Sequence, residues 1–571
     1  MPIFQGTYVP DVEAELETQY AGRWTRLDAT ILRGLAGGSY DAGWTVDVRP
    51  GEVQFAGIDR VLVAVDRAFP ASQPKVFAPQ APRDFSWPHV EAQGALCLKS
   101  TRVRASARDR IAQHLAWALE LLSLSADARR NEFAREFGTY WQHRCATASK
   151  VPAVKCLLKP HGDSRLVVFA MDASTKLIVV AETKQALMSW MQNTGYNVGD
   201  KLVFPTYLVM LDIAWSPNEF PEWGRDVLAH LPAEVAANIV VAGRPVPVVF
   251  GAETESGVAF AATLLTSASE RDLTRGFRRL SNVPRARTTA SFANRPALRC
   301  PTFRIDAAWV HGRDHDNSAA YLSSRSVAVV GCGSIGAALV RLLAQAGVGS
   351  FVLIDNDVLA AANTSRHALG NSRVGTNKAE ATASMLRDEF PHLRKVEFFP
   401  RRAQALTSSE LDAVSDADLI VSAGIDFDGD AYLDTWRRAL ARPPPYLSTW
   451  VEAFAQAGHA VLLFGADSLI GRFDDTERPD FRLTEWPHQL TVQVVEAGCG
   501  NVFQPHGAID LQFTVAMAAS LATKGLLDQI GQSWRYAWLG DRDSVIAKGG
   551  YPLPQFDRNC AIKEYPWRAR E

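Results

Sequence analysis

Apolar and polar residues alternate in blocks along the C-terminal half of the chain. Short apolar runs at Val327–Val330, Phe351–Ile354 and Leu419–Val421 alternate with stretches in which apolar residues recur at helical spacing. Strands that alternate with helices are typical of a parallel sheet covered by helices on both faces. We therefore predict an α/β domain over residues 301–571, with the alternation ending near residue 540.

The first 150 residues show a different order of elements, which predicts a small α+β domain. Helical spacing of apolar residues covers Val12–Leu27 and Arg110–Leu124. Strand-like runs between them cover Trp44–Val48, Val53–Phe55 and Val61–Val65. The segment that joins the last of these strands to the second helix is too rich in proline for regular structure.

Residues 151–300 alternate strand-like runs with polar loops, and we interpret them as a middle domain of α/β type. No catalytic group of residues stands out in this part of the sequence. The arginine-rich stretch Arg271–Arg299 is most simply a linker and docking arm. The predicted strands are Leu166–Met171, Leu177–Val180, Leu202–Leu211, Ile239–Val241 and Val246–Phe250.

Composition and charge disfavour several broad classes of protein. The chain has 571 residues, 47% of them apolar and 21% charged, which suits three or four globular domains. The formal net charge of -2 gives no general attraction to nucleic acid or to an anionic membrane. No secretory signal is evident, and no apolar run approaches the roughly 18 residues that span a bilayer. We therefore expect a cytoplasmic protein.

Seven cysteines are scattered along the chain without a CxxC pair. A zinc site made of four thiolates is therefore not expected. In a cytoplasmic protein such cysteines are typically free thiols, and most of them should be buried and inert. One or two remain candidates for a reactive role.

A glycine-rich sequence joins the first strand of the C-terminal domain to the helix that follows it. Gly331, Gly333 and Gly336 allow a tight turn, a close approach of phosphate to the backbone, and close packing of helix against strand. Asp355 ends the next strand, where a carboxylate can bind ribose hydroxyls. Such a set most often indicates dinucleotide binding, so an NAD-dependent oxidoreductase is one interpretation.

Polar residues downstream of the glycine loop favour cleavage of ATP instead. Asn363, Arg366 and Lys378 bring an amide and two cations to a site that is already suited to phosphate. A reaction that splits ATP between its α- and β-phosphates needs such charge, because negative charge develops on both fragments. A dehydrogenase does not need that much positive charge.

A third strand of the C-terminal domain also ends in carboxylates. Asp426 follows the strand Leu419–Val421 and is our candidate ligand for Mg²⁺. Asp428 and Asp430 are close alternatives for this role.

The order and spacing of these motifs resemble the adenylation domain of ubiquitin-activating-like enzymes of the ThiF/MoeB type. The family pattern is a glycine loop, DxD, N-x-x-R and Gly-x-x-Lys-Ala. Its counterparts here are Gly331–Gly336, Asp355–Asp357, Asn363–Arg366 and Gly375–Ala379. The resemblance implies a Rossmann-like fold that binds ATP and Mg²⁺ and adenylates the C-terminal glycine carboxylate of a protein. The bacterial sulfur-carrier activators of this family usually carry paired CxxC zinc ligands, and this chain has none.

The N-terminal domain contains a segment that can expose a thiol. Cys97 follows a glycine turn, although a cysteine in such a segment is more often a small buried apolar residue. The segment resembles the active-site region of ubiquitin-conjugating enzymes, in which Phe-Pro and a further proline precede His-Pro-Asn and Gly-x-hydrophobic-Cys-Leu. The counterparts of the last two motifs are Trp87-Pro88-His89 and Gly94–Leu98.

This resemblance matches Cys97 to the thioester cysteine of the family. Trp87 takes the motif's His position, and His89 takes its Asn position. The family Asn supports the loop or stabilises an oxyanion. His89 is able to do either through an N–H group, but its imidazole is also able to act as a base, and the sequence leaves these roles open.

An activating enzyme that forms its own thioester needs a second thiol. Cys499 stands between two glycines, which is typical of an accessible loop, and it is our candidate for that thiol. Cys560 near the C-terminus is the reserve candidate. We expect Cys332, inside the glycine loop, to be packed.

Together the resemblances indicate a fusion of a ubiquitin-conjugating-like domain (1–150), a middle domain (151–300) and a ThiF-type adenylation domain (301–571). The best-known fusions of this kind belong to antiphage CBASS operons, where they attach the C-terminus of a cGAS/DncV-like nucleotidyltransferase to targets. The resemblance therefore implies a protein partner with a reactive C-terminus, an amine-bearing target and a homodimer. We expect neither nucleic acid nor a membrane as a partner.

The implied reaction consists of adenylation, thioester formation at Cys499, and transthiolation to Cys97, which delivers the acyl group to an amine. Two other interpretations remain open. An NAD-dependent oxidoreductase with an unrelated N-terminal domain predicts hydride transfer without ATP. A scaffold with an inert Cys97 predicts ATP binding without thioester transfer.

Overall fold

Two units, each built from two separate stretches of the chain, make up the computed structural model of the protein. One unit comprises residues 1–151 together with 209–301, and the other comprises 152–208 together with 302–571. The predicted division at residues 150 and 300 into three domains stays a prediction. The structure describes all residues except 1–7, 82–85, 102–104, 146–150, 161, 173–174, 197–201, 243, 280–281, 314, 488–493, 496–501, 504–506 and 569–571.

The N-terminal stretch of the first unit is an antiparallel sheet, ordered β1-β2-β3-β4-β5, with helices packed against it. Its core contains Trp44 and Val63 of the sheet and Ile111 and Leu115 of helix α3, all fully buried. The predicted α+β domain is thus present. The elements are α1 (Val9–Tyr20), β1 (Trp24–Arg26), α2 (Ala29–Gly34), β2 (Tyr40–Asp47), β3 (Arg60–Asp66), β4 (Lys75–Phe77), β5 (Ala95–Leu96), α3 (Ala107–Leu122), α4 (Ala126–Arg135) and α5 (Phe137–Arg144).

Two of the predicted elements in this stretch differ from the structure. The helix predicted over Val12–Leu27 ends at Tyr20, because the chain turns at Gly22 with φ of +70° and then forms strand β1. Residues Val53–Phe55, which were predicted to form a strand, are described in the structure but do not form one. Instead, the backbone N–H groups of Gln54 and Phe55 donate to the carbonyl of Leu122 at the end of α3.

Residues 152–208 start the second unit with strands and one helix, and the last of these strands continues to Leu211. The parallel pairing of β6 with β8 and the antiparallel pairing of β7 with β8 and β9 create the sheet. Helix α6 is held to the rest of its unit by Trp190, whose Nε1 donates to the carbonyl of Pro391 at 2.7 Å. The elements are β6 (Ala153–Leu157), β7 (Arg165–Asp172), β8 (Leu177–Ala181), α6 (Lys184–Asn193) and β9 (Val203–Leu211).

Residues 209–301 complete the first unit, and here two predictions were wrong. Ile239–Val241 lies in a helix, because a short apolar run does not by itself distinguish a helix from a strand. The stretch Arg271–Arg299 is more than a linker, since its end joins a sheet through the pairing of Leu298 with Leu264. The elements are α7 (Gly224–Leu228), α8 (Ala233–Ala242), β10 (Val246–Thr254), β11 (Gly257–Leu265), α9 (Glu270–Leu273), α10 (Arg285–Ala293) and β12 (Leu298–Cys300).

Residues from 302 onward contain the elements of the predicted C-terminal domain. They are β13 (Thr302–Arg304), α11 (Ala307–Gly312), α12 (Asn317–Leu322), β14 (Ser326–Val330), α13 (Gly336–Ala346), β15 (Ser350–Ile354), α14 (Lys378–Glu389), β16 (Lys395–Phe399), α15 (Ser408–Ser415), β17 (Leu419–Ala423), α16 (Phe427–Arg438), β18 (Tyr446–Val451), β19 (Ala457–Leu463), β20 (Thr484–Glu485), β21 (Val494–Val495), β22 (Val502–Phe503), α17 (Ala508–Leu526), β23 (Trp534–Leu539), α18 (Arg542–Ala547), β24 (Tyr551–Pro552) and β25 (Ala561–Pro566).

The central sheet of this part has the order β16-β15-β14-β17-β18-β19-β23-β25. The first five strands are parallel, and the last three are antiparallel. Val327 and Val329 of β14 point into one apolar core, while Ala328 and Val330 point into another. Both faces of the sheet are therefore covered, which confirms the predicted Rossmann-like α/β fold.

Among the described residues, no helix is both long enough and apolar enough to cross a bilayer.

Candidate active site

A cleft of about 420 Å³ lies at the carboxyl ends of β14, β15 and β17. Parallel strands bring their carboxyl ends to one edge of the sheet, and ligands of such folds bind at that edge. The cleft thus gathers residues that are far apart in sequence. The predicted residues that line it are Gly331, Gly333, Asp355, Asp357, Asn363, Arg366, Lys378 and Asp426.

Glycine suits each of the three positions in the loop for a different structural reason. Gly331 has φ of +91°, a conformation that favours glycine. A Cβ atom on Gly336 would lie 1.8 Å from the carbonyl oxygen of Gly331, so helix α13 approaches the loop as closely as its backbone allows. A Cβ on Gly333 would meet nothing within 4 Å. The bare backbone at Gly333 therefore faces open space in which a phosphate can approach.

Asp355 connects the glycine loop to the strand beside it. Its carboxylate accepts hydrogen bonds from the backbone N–H of Cys332 at 2.7 Å and from that of Asp357 at 2.8 Å. Burial raises the pKa of Asp355, although these N–H groups and Lys378 oppose the rise. The carboxylate therefore fixes the loop in addition to its predicted role at the ribose.

Lys378 and Asp357 form an ion pair at the rim of the cleft. Lys378 Nζ lies 2.9 Å from Asp357 Oδ2, and the backbone N–H of Lys378 donates to the carbonyl of Asp357. Asn377 caps helix α14 and donates from Nδ2 to the carbonyls of both Asp355 and Asp357. This ties the start of α14 to the end of β15, and Lys378 is thereby aimed at the cleft.

Asn363 and Arg366 lie together on the short segment between β15 and α14. Asn363 Oδ1 accepts from the N–H of Ala360, and Arg366 Nη1 donates to the carbonyl of Ala362 at 3.3 Å. Both side chains line the cleft. The structure therefore places the predicted amide and two cations around one site, as their spacing indicated.

Among the three acidic candidates for Mg²⁺, only Asp426 lines the cleft. It caps helix α16 by accepting from the N–H of Gly429 at 2.8 Å. Asp430 instead accepts from the hydroxyl of Tyr446, and burial raises its pKa to about 6. Asp428 also lies outside the cleft lining. Mg²⁺ is usually held by one or two carboxylates together with phosphates and water, so the donor chemistry of Asp426 fits the ion.

Sequence reasoning missed several residues of the cleft. His367 follows Arg366 directly and bonds from Nε2 to the carbonyl of Cys332 at 2.8 Å. Arg401, Arg402 and Gln404 come from the turn after β16. The rule that identified Asp355, namely its place after a parallel strand, would have identified this turn as well.

Cys97 is exposed and follows strand β5 in the N-terminal sheet. The turn before it requires Gly94, whose φ is +79° and whose added Cβ would lie 2.3 Å from the carbonyl oxygen of Ala78. Partial burial raises the pKa of the Cys97 thiol, and the carboxylates of Glu91 and Glu136 raise it further. Lys75 opposes them weakly. The thiol is thus accessible but is mostly protonated at neutral pH.

Trp87 and His89 differ in how they support Cys97. Trp87 is 3% exposed, stacks on Phe55 at 4.3 Å and donates from Nε1 to the carbonyl of Leu121, so it is a core residue. His89 has φ of +58°, and its carbonyl accepts from the N–H of Cys97 at 2.9 Å. His89 therefore touches the backbone of the predicted thioester cysteine.

The other cysteines discussed above differ in their surroundings. Cys499 lies outside the described residues, so its role stays a prediction. Cys560 is exposed and has φ of +50°. Cys332 is fully buried in the glycine loop, and burial raises its pKa well above the usual range. The prediction that Cys332 is packed is confirmed.

Two family matches cover separate parts of the chain. Residues 313–462 match the ThiF family, and residues 21–149 match prokaryotic E2 family B. The chain therefore contains a ThiF-type domain and an E2-like domain, as the two sets of motifs predicted.

Curated relatives match parts of the chain. The chain is 32% identical over 272 residues to the ATP-dependent ubiquitin transferase-like protein Cap2 of Pseudomonas aeruginosa, a match that covers 45% of this chain and 46% of that protein. It is 37% identical over 107 residues to the SAMP-activating enzyme E1 of Haloferax volcanii, covering 19% of this chain and 38% of that protein. Each match thus spans less than half of the relative's length.

Solved structures include a weak match to Escherichia coli MccB. That match has a TM-score of 0.32 and 17% identity, and it covers 44% of this chain and 64% of MccB. A crystal structure of MccB with ATP matches with a TM-score of 0.31 and 18% identity, and covers 44% of this chain and 65% of that chain.

Proposed function

We propose that this protein uses ATP to adenylate the C-terminal carboxylate of a partner protein and conjugates that protein to an amine through thioesters. The observation that carries the proposal is the cleft at the glycine loop, which gathers an open backbone, an acidic strand end and cationic side chains at one edge of a sheet. Its combination with an exposed cysteine in an E2-like domain provides a route from adenylate to conjugate.

The order of strands suggests how ATP lies in the cleft. The glycine loop at the end of β14 faces the phosphates, and Asp355 at the end of β15 faces the ribose. Strand β16 pairs with β15 on the far side, so the turn that contains Gln404 is beside the base. This arrangement leaves the α-phosphate near β14 and β17, where Asp426 also lies.

Charge stabilisation in the cleft suits attack at the α-phosphate. A carboxylate oxygen of the partner attacks the α-phosphorus, and the bond to pyrophosphate breaks. Arg366 and Lys378 are fixed in the cleft before the reaction and offset the negative charge that develops on both products. Mg²⁺ bound near Asp426 would add Lewis-acid stabilisation to the same phosphates. Such a concentration of cations favours this reaction over hydride transfer to NAD.

Two thiol transfers complete the proposed reaction. The Cys499 thiolate attacks the acyl-adenylate carbonyl and releases AMP, and Cys97 then attacks the resulting thioester and releases the Cys499 thiol. An amine nitrogen finally attacks the Cys97 thioester, and Cys97 leaves as a thiol after proton transfer. Cys560 is the alternative to Cys499.

The partner we propose is a cGAS/DncV-like nucleotidyltransferase with a reactive C-terminus, and the target is an amine, such as a lysine side chain. The similarity to Cap2, which covers part of each chain, supports a ubiquitin-like conjugation system. We further propose that the protein works as a homodimer in antiphage defence, in the manner of CBASS fusions.

Non-reducing gel electrophoresis tests the proposal. The protein is incubated with ATP·Mg²⁺ and the nucleotidyltransferase, and wild type is compared with Cys97→Ala, Cys499→Ala and Cys560→Ala. We expect a thiol-sensitive adduct that needs ATP, the partner's terminal residue and Cys499, and Cys97→Ala should keep this adduct but form no conjugate with an amine. Loss of the adduct in Cys560→Ala but not in Cys499→Ala would exchange the roles of these two cysteines.

A binding measurement separates the alternatives. Thermal-shift titration with ATP·Mg²⁺ and with NAD should show stabilisation by ATP alone. Stabilisation by NAD alone, with no adduct, would favour the oxidoreductase. ATP binding without any adduct to the nucleotidyltransferase would favour a scaffold with an inert Cys97.

A further inference from the structure

A chain of hydrogen bonds links helix α5 to the backbone of Cys97. The hydroxyl oxygen of Tyr140 accepts from the N–H of His89 at 2.7 Å, and the carbonyl of His89 accepts from the N–H of Cys97 at 2.9 Å. His89 has φ of +58°, which is uncommon for a residue with a side chain. The bonds on both sides of His89 therefore hold an otherwise unfavourable conformation directly beside the thiol.

The imidazole of His89 points at carboxylates of the same helical region. Its Nε2 lies 3.0 Å from Glu132 Oε2, and its Nδ1 lies 3.7 Å from Glu136 Oε2. Glu132 also forms an ion pair with Arg135. Both ring nitrogens thus face a carboxylate, and the side chain of His89 is only 14% exposed. An imidazole engaged in this way is poorly placed to take a proton from Cys97.

Helices α4 and α5 are packed so that they present these groups together. Phe133 of α4 contacts Tyr140 of α5 edge to face, with ring centroids 4.8 Å apart. Tyr140 is 5% exposed, and burial raises its pKa to about 12. Its hydroxyl therefore stays neutral through the physiological range and remains a constant partner for His89.

We propose that Tyr140 and Glu132 are positioning residues that hold His89 as a rigid support of the Cys97 loop, and that the imidazole is not the base for the thiol. This inference rests on the proposed function of Cys97 as a thioester cysteine. It gives His89 the loop-supporting role of the asparagine that stands at its position in the ubiquitin-conjugating motif.

The ionisation of the Cys97 thiol is then set by charged groups other than the His89 imidazole. The titratable groups that influence its thiol are the carboxylates of Glu91 and Glu136 and the ammonium of Lys75. Two of these three groups carry negative charge, so the surroundings of Cys97 do not favour its thiolate.

Alkylation of Cys97 tests this inference without any partner protein. The full chain is treated with iodoacetamide across a range of pH, and modification of the Cys97 peptide is followed by mass spectrometry. We expect one rise in rate, centred above the ordinary thiol pKa of about 8.5, with no additional step at lower pH. His89→Asn should keep the same alkylation profile, because the side chain of His89 takes no proton from the thiol.

Amide hydrogen exchange of the segment around Cys97 measures the support itself. Tyr140→Phe and Glu132→Gln should speed exchange of this segment about tenfold, while Glu120→Gln, an exposed carboxylate on α3, should leave it unchanged. Unchanged exchange in both positioning variants would overturn their assignment. If Tyr140→Phe fails to fold, Glu132→Gln and the alkylation profiles still decide.

A different result of the alkylation experiment would overturn the inference. A step in the alkylation rate of wild type well below the ordinary thiol pKa of about 8.5, lost in His89→Asn, would show that the imidazole acts on the thiol and would overturn the inference. Failure of the proposed function is separate, since it would appear as absence of an ATP-dependent adduct while the alkylation profile stays as expected.

Discussion

His367 donates a hydrogen bond from Nε2 to the carbonyl oxygen of Cys332, at a distance of 2.8 Å. The other ring nitrogen, Nδ1, accepts from the backbone N–H of Leu369 at 3.1 Å, so the two bonds define the tautomer. Burial lowers the pKa of His367, and Lys378 and Arg366 lower it further. A neutral imidazole therefore joins the segment that carries Arg366 to the glycine loop.

Removing this bond should weaken ATP binding. A hydrogen bond of this kind contributes about 1–1.5 kcal/mol, so we expect His367→Leu to raise the Kd for ATP·Mg²⁺ by about tenfold. His367→Gln, which can still donate to the Cys332 carbonyl, should lose less affinity. Isothermal titration calorimetry with ATP·Mg²⁺ gives both values. Equal losses in the two variants would show that shape, and not this bond, matters.

Two glycines of the loop should respond differently to the same change. Gly336→Ala forces a Cβ atom into the carbonyl of Gly331, so it should lower the free energy of unfolding by at least 1–3 kcal/mol, roughly the cost of overpacking. Gly333→Ala meets open space and should fold normally, yet its methyl group would obstruct the approach of phosphate. Denaturant unfolding and ATP titration of both variants test this contrast. A stable Gly336→Ala protein would contradict the close packing.

Lys378 and Arg366 should affect the chemical step more than the binding of ATP. If they offset charge that develops as pyrophosphate leaves, Arg366→Ala should slow adenylation by about 100-fold or more. Arg366→Lys should recover little, because an ammonium cannot reproduce the guanidinium geometry. Pyrophosphate release with the nucleotidyltransferase measures the rate. Arg373→Ala, a partly exposed arginine that is paired with Asp388 and lies outside the lining of the cleft, is the matched control.

A buried carboxylate in the C-terminal sheet should make stability depend on pH. Burial opposes ionisation of Glu452, but hydrogen bonds from His459 and from Thr484 and Leu483 prevail and lower its pKa. Burial lowers the pKa of His459, so a neutral imidazole donates to an ionised carboxylate. The bonds hold the chain at the start of β20.

Glu452→Gln should therefore cost roughly 1.5–3 kcal/mol of stability at neutral pH, as expected for the loss of hydrogen bonds to a charged group. Because the folded pKa is lowered, this contribution is present above the unfolded pKa of about 4.5 and is lost as pH falls through the folded value. Urea unfolding at several pH values from about 3 to 7 measures this effect, because the range brackets the unfolded pKa. The free energy of unfolding of the wild type should exceed that of the variant at neutral pH and approach it as the pH falls. An advantage that stays constant to the lowest pH would contradict the assignment.

The sequence predicted the adenylation-type half of the structure well, for a physical reason. Strands β14, β15 and β17 are short apolar runs that are buried on both faces, and each is followed by residues that line the cleft. The glycine positions follow from backbone sterics that any chain must obey. These features are local, so a local pattern reveals them.

Features that depend on distant partners could not be predicted in this way. The ring of His89 is engaged by Glu132 and Glu136, which reach it only because α4 and α5 pack beside the Cys97 loop. Ile239–Val241 has β-branched residues but forms part of helix α8, so its composition alone does not reveal its structure. The strand β25 likewise takes its conformation from pairing with β23.

The interleaving of the two units has a consequence for the order in which the chain can fold on the ribosome. Residues 1–151 emerge first, but Trp141 finds its hydrogen-bond acceptor, the carbonyl of Cys300, only after about twice as much chain has been made. Helix α6 is synthesised long before Pro391, whose carbonyl accepts a hydrogen bond from Trp190 of this helix, so this contact also forms late. A growing chain that has passed residue 151 but has not reached residue 301 leaves the contact surfaces of the first unit uncovered, so chaperone dependence during synthesis should be highest between these lengths.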